Sequence, residues 1–108
     1  PSFGASTHLA NLLIGIHHIE PSKTSVLNIR PPTQNNEVDT AAVRKACEQL
    51  GYSFALAPKA KIEAGTTRFD VLLDEGDFGW EPTLYIVAHN PLELVDRTHQ
   101  LTAILKQV

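Results

Sequence analysis

The sequence predicts an α+β fold: a two-layer sandwich in which a mixed four-stranded sheet carries helices mainly on one face, in the order α-β-α-β-β-β-α. Three observations predict it. Apolar residues recur at helical spacing in three segments and alternate with polar ones in four others. Gly and Pro mark most of the boundaries between those segments. The chain is 108 residues long and 43% hydrophobic, which suits a single domain spanning 1–108 with a modest core.

Ser6 is placed to cap a first helix running to about Ile19, with Leu9, Leu12, Leu13 and Ile16 on one face. Glu20-Pro21 ends it, because the residue before proline avoids the helical region. Gly15 and three isoleucines weaken helix propensity, which leaves a strand as the alternative for residues 12–19. Thr24 to Arg30 alternates as a strand, with Leu27 and Ile29 opposite Val26, Asn28 and Arg30. Pro31 to Asn36 reads as a loop. A second helix is expected from about Glu37 to Leu50, capped by Asn36 with Asp39 three residues on, and stopped by Gly51 in a left-handed conformation. Cys47 lies on the buried stripe of that helix with Val43, Ala46 and Leu50.

Tyr52, Phe54 and Leu56 alternate with smaller residues, which predicts a strand. Its position after the second helix suggests a right-handed parallel crossover from the first strand. Thr66 to Asp74 and Thr83 to His89 read as strands of one antiparallel hairpin. Asn90 caps a last helix with Pro91 at its first position, and Leu94, Thr98, Leu101, Leu105 and Val108 form its inner stripe.

Composition narrows the function classes. Nine basic and twelve acidic residues give a net charge of −3. No basic stripe is visible, so nucleic acid is not an expected partner. Residues 1–68 carry a net +2 and residues 69–108 a net −5, an asymmetry suited to a basic protein partner. One cysteine rules out an internal disulfide and the Cys–Cys zinc patterns, and points to a reducing, cytoplasmic setting. The apolar run from Leu12 to Ile16 is too short to cross a bilayer, so no membrane association is expected. Five histidines include no ligand pair at metal-binding spacing, so no metal is expected. The segment before the second helix lacks the glycines of a phosphate loop, and no cofactor is expected.

Two groups of residues carry the functional expectations. Pairing Asp74 with Thr83 sets Leu72 opposite Tyr85, Asp70 opposite Val87 and Arg68 opposite His89. Arg68, Asp70, Tyr85 and His89 then share one sheet face, a set able to do acid–base chemistry. The second group is the loop Asp74, Glu75, Asp77, Phe78 and Trp80, where acids surround the only tryptophan. Such a loop suits partner binding, with Trp80 as anchor and the acids steering a basic surface. The preferred reading is a small non-enzymatic binding or regulatory domain that engages a protein partner through this loop and forms a homo-oligomer. The alternative is a small hydrolase or lyase using the His–Asp–Arg cluster. The face bearing Leu72, Tyr85 and Val87 is expected to be covered, by a second copy or by the first helix.

Overall fold

A computed structural model describes residues 2–58, 61–62, 65–66, 68–77 and 81–106, with side chains from residue 9 onward. The elements are α1 (Ser2–Ile19), β1 (Ser25–Ile29), β2 (Thr33–Gln34), β3 (Glu37–Val38), α2 (Thr40–Leu50), β4 (Phe54–Leu56), β5 (Val71–Asp74), β6 (Thr83–Ala88) and α3 (Pro91–Leu105). The α+β class and the mixed four-stranded sheet are as the sequence predicts. Residues 12–19 are helical.

The main sheet has the order β1-β6-β5-β4. β6 is antiparallel to both β1 and β5, and β4 is parallel to β5. Three strands therefore run one way and β6 runs the other. β1 and the Tyr52 strand share a direction, but they sit at opposite edges rather than side by side. Burial explains the order. Leu84 to Ala88 and Val71 to Asp74 are buried throughout, and a continuous apolar run belongs where both faces are covered. β1 is partly exposed along its length and takes an edge. The β5–β6 register is the expected one, with Asp74 opposite Thr83 and Leu72 opposite Tyr85. β5 begins at Val71 rather than Thr66, although Val87 still donates its N–H to the Asp70 carbonyl at 2.8 Å.

Alternation along the strands builds two cores. Leu72, Tyr85 and Val87 pack with Leu12 and Ile16 of α1, and with Ala57 and Phe69. α1 is thus the cover that this face requires. Val71, Leu73, Leu84 and Ile86 pack on the other face with Val43, Ala46 and Cys47 of α2 and Leu101 of α3.

The second helix starts later than expected. Asn35 and Asn36 both have positive φ, 55° and 67°, the backbone of a tight hairpin turn that Asn tolerates. That turn joins β2 to β3, pairing Thr33 with Val38 and Gln34 with Glu37. Asp39 is the actual cap, its Oδ1 accepting from the Ala42 N–H at 3.1 Å. The other helix signals read correctly. Gly51 ends α2 at φ 75°, and the Asn90 side chain accepts from the Glu93 N–H at 2.8 Å with Pro91 beginning α3.

Candidate functional site

Polar side chains gather at both ends of the sheet, and the two gatherings differ in kind. At the amino ends of β4 and β5, Asp70 is the hub. Its Oδ1 accepts from Lys23 Nζ at 2.6 Å and from Arg97 Nη1 at 2.8 Å, and its Oδ2 accepts from the Ser53 N–H at 2.9 Å. Burial works against the charged form of Asp70. The hydrogen bonds from Lys23 and the Ser53 amide, with the charges of Lys23 and Arg97, outweigh it and hold the carboxyl below its ordinary value. Arg97 also donates to the Val87 carbonyl at 2.8 Å and lies over the Tyr52 ring. Lys23 is only 3% exposed, and Asp70 is its nearest carboxylate, with Glu20 at 3.9 Å.

His89 and Arg68 complete this end. Glu93 Oε1 lies 2.9 Å from His89 Nδ1 and accepts from the His89 N–H at 3.2 Å. The hydrogen bond donated by the His89 backbone N–H is the largest influence lowering the Glu93 carboxyl, which Arg97 Nη2 also approaches at 3.3 Å. Arg68 has no ion-pair partner among the described residues. A cleft of about 400 Å³ opens between Lys23, Ser53, Arg68, Asp70, His89 and Arg97.

Of the four residues expected to share a site, Arg68, Asp70 and His89 line this cleft, but Tyr85 does not. Tyr85 is 4% exposed and belongs to the core beneath α1. His89 is bonded to Glu93 instead of Asp70. Lys23, Glu93 and Arg97 were missed. Glu93 and Arg97 stand at i,i+4 spacing on α3, a signal available in the sequence. Nothing local marks Lys23, whose partner is 47 residues away.

The carboxyl ends of β1, β4 and β5 meet at the opposite end of the sheet. There Asp74 is 2% exposed. Its Oδ1 accepts from the Gly76 N–H at 2.9 Å, and Gly76 has φ 83°, so the carboxyl group shapes the turn that follows β5. The register sets Asn28 opposite Tyr85 and Tyr85 opposite Leu72. Asn28, Tyr85 and Asp74 therefore lie on the α1 face of the sheet. Burial raises the Tyr85 phenol above its ordinary value and the neighbouring charge of Asp74 adds to this, so Tyr85 keeps its proton. Arg30 leaves the end of β1 exposed, with no ion-pair partner among the described residues.

The acidic loop is more tied down than a free binding hook. Asp74 is buried, and Glu75 accepts from Thr40 Oγ1 at 2.5 Å, at the first residue of α2. A cleft of about 450 Å³ lies between Asn36, Glu37, Glu75, Asp77 and Pro82. Phe78 and Trp80 lie outside the described residues. Among the described residues no group of three His, Cys, Asp or Glu side chains is placed to hold a metal ion, and no helix is long and apolar enough to cross a membrane.

A mixed four-stranded sheet covered by helices defines a small α+β domain. The chain belongs to the family described as thiamine-phosphate synthase ThiN, which matches residues 1–100. No curated protein sequence matches the chain at a significant level. Two solved structures share the fold. The C-terminal domain of a phosphomethylpyrimidine kinase is 18% identical, with a TM-score of 0.67, over 87% of this chain and 60% of that one. The C-terminal domain of protein MJ0236 is 13% identical, with a TM-score of 0.69, over 93% of this chain and 59% of that one. The chain thus spans about 60% of the length of each. Family membership overturns the reading as a non-enzymatic protein-binding domain, because the family is that of a synthase. It displaces the hydrolase-or-lyase alternative for the same reason. The acidic loop misled because its composition resembles a binding hook, while burial of Asp74 and the Thr40–Glu75 bond are visible only in three dimensions.

Proposed function

We propose that this chain is a thiamine-phosphate-synthase-type domain that binds phosphate-bearing thiamine precursors at the carboxyl ends of β1, β4 and β5. One observation carries the placement: the nearly fully buried Asp74 beside the Tyr85 phenol, on one sheet face with Asn28. Burying a carboxyl group is costly, which sets Asp74 apart from the exposed acids of the loop that follows it. The family description supplies the reaction class.

The chemistry fits such a site. Thiamine phosphate joins a pyrimidinylmethyl carbon to a thiazole nitrogen. The nitrogen lone pair forms the new C–N bond, and a phosphate-type leaving group departs with the electrons of the old C–O bond. No net proton transfer is needed. A kinase acting on phosphomethylpyrimidine, the activity named for one structural neighbour, makes a diphosphate that is such a leaving group. The site must hold anionic phosphates and compensate positive charge on the joined rings. In this reading Arg30 and Asn28, both exposed, meet the phosphates, and the charge of the buried Asp74 compensates the cationic rings. The setting is reducing and cytoplasmic, which the single free cysteine, Cys47, supports.

The test is calorimetric titration of the chain with thiamine phosphate, together with formation of thiamine phosphate from the pyrimidine diphosphate and the thiazole phosphate. Arg30→Ala is expected to weaken binding about tenfold, the size of one lost charge-assisted hydrogen bond. Absence of both binding and product, or binding that ignores Arg30→Ala and Asp74→Asn, would overturn the reading.

A further inference from the structure

A homo-oligomer is expected from the sequence, but α1 closes the face bearing Leu72, Tyr85 and Val87, so another surface has to carry any such contact. The main sheet has two edges, β1 and β4. An edge strand leaves alternate backbone N–H and C=O groups unpaired, and proteins blunt it with charges, proline or a very short strand. β4 is defended in this way. It has three residues, and the Arg44 guanidinium lies over the Phe54 ring, 5.0 Å from its centre. β1 is not. It has five residues, Ser25–Ile29, none of them charged and none of them proline.

Apolar surface flanks β1 on both faces. Leu27 pairs with Ile86, so it lies on the α3 face of the sheet, where it is 37% exposed. α3 turns Arg97 toward Asp70, and its other flank borders β1. There Pro91 and Leu94 line a hollow of about 470 Å³ with Val26 of β1 and with Leu9 and Leu13 of α1. On α3 beside them, Leu92 and Val95 are 81% and 59% exposed. Leu27, Leu92 and Val95 leave about 300 Å² of apolar surface bare, the size at which a patch marks an interaction site.

We propose that β1 pairs antiparallel with β1 of a second copy of this chain, about a two-fold axis near Leu27. The two sheets then run on as one, and the Leu92–Val95 flanks of the two α3 helices close over the seam. A two-fold contact sets the same patch against itself, which an uncharged strand between apolar flanks allows. Each chain carries a net charge of −3, yet none of these strand and flank residues is charged, so two copies meet here without burying like charges. Arg30 follows β1 directly. Antiparallel pairing sets it beside the partner's Thr24 and keeps the two Arg30 residues about 20 Å apart, beyond the screening length. Two copies bring together about 600 Å² of these side chains, half of the roughly 1,200 Å² at which specific interfaces begin. The paired backbones and the rims of the two hollows supply the rest, so the dimer is small and reversible. The proposal does not depend on the synthase reading.

Sedimentation equilibrium of the chain over a range of concentrations is the test. The mass is expected to rise from 11.8 kDa toward twice that value across the micromolar range. Leu92→Glu and Val95→Glu should each weaken association at least tenfold, and Leu27→Lys should abolish it. Leu92 is almost fully outside the core, so its variant tests the interface even if Leu27→Lys fails to fold, and thermal melting of each variant shows which do. Amide hydrogen exchange supplies the location: the outward amides of β1 should be protected in the dimer and exchange faster in Leu92→Glu at the same concentration. A mass that stays at 11.8 kDa up to about 1 mM overturns the proposal. So does a dimer that Leu92→Glu and Val95→Glu leave intact, or one in which the β1 amides exchange as fast as in the monomer.

Discussion

Replacing Asp70 with Asn tests the Asp70 hub most directly. The change removes the charge that three donors share and leaves Lys23 buried beside a neutral amide. Breaking a buried ion pair by removing one partner costs about 3–5 kcal/mol. Here the lower figure applies. Lys23 Nζ keeps Glu20 at 3.9 Å, and Arg97 keeps the Val87 carbonyl and Glu93. The expected loss is therefore about 3 kcal/mol, which lowers the melting temperature of a domain this size by roughly 15 °C. Lys23→Met removes the buried charge itself while Asp70 keeps Arg97 and the Ser53 amide, so it should cost only about 1 kcal/mol. The double variant should lose less than the sum of the two, with a coupling of about 2 kcal/mol. Urea unfolding of the four proteins measures all three quantities. A loss under about 1 kcal/mol for Asp70→Asn, with additive effects in the double variant, would refute the hub as a stabilising unit. The pH dependence follows with a definite sign. Because the folded Asp70 carboxyl lies below its unfolded value of 3.8, its contribution is present above that pH and is lost as pH falls through the lower, folded value. Asp70→Asn should flatten the acid limb of the stability curve.

Two further outcomes are expected. The Cys47 thiol, buried and pushed up to about 12 chiefly by desolvation, should resist iodoacetamide in the native protein and react only on unfolding; labelling at native rates near those of a free thiol would contradict its burial. Gly51→Ala should cost about 1 kcal/mol, because φ is 75° while an added Cβ would meet nothing within 4 Å. Gly51→Asn should cost less, and equal losses for the two in urea titrations would point to a steric cause instead.

What the sequence determined by itself is local. The start of α3 at Asn90-Pro91 and the stop of α2 at Gly51 depend on a few adjacent residues whose backbone preferences are strong. The β5–β6 register was legible because Val71 to Asp74 and Thr83 to Ala88 allow one pairing that buries both apolar rows. The α+β class followed from the same periodicities. The tertiary structure decided the rest. Asn36 and Asp39 are both good caps, and only the β2–β3 pairing, which needs Asn35 and Asn36 in a turn, selects Asp39. Strand alternation cannot name a strand's neighbour, so the place of β4 beside β5 rather than β1 had to come from the sheet. The candidate sites divide in the same way. Arg68, Asp70 and His89 line one cleft, as the alternation of the two hairpin segments led one to expect. Lys23 joins Asp70 across 47 residues, and α3 folds back to deliver Arg97. Tyr85 was visible as a residue type, but whether its phenol is buried or open depends on α1, which reaches it only when the chain closes over the sheet.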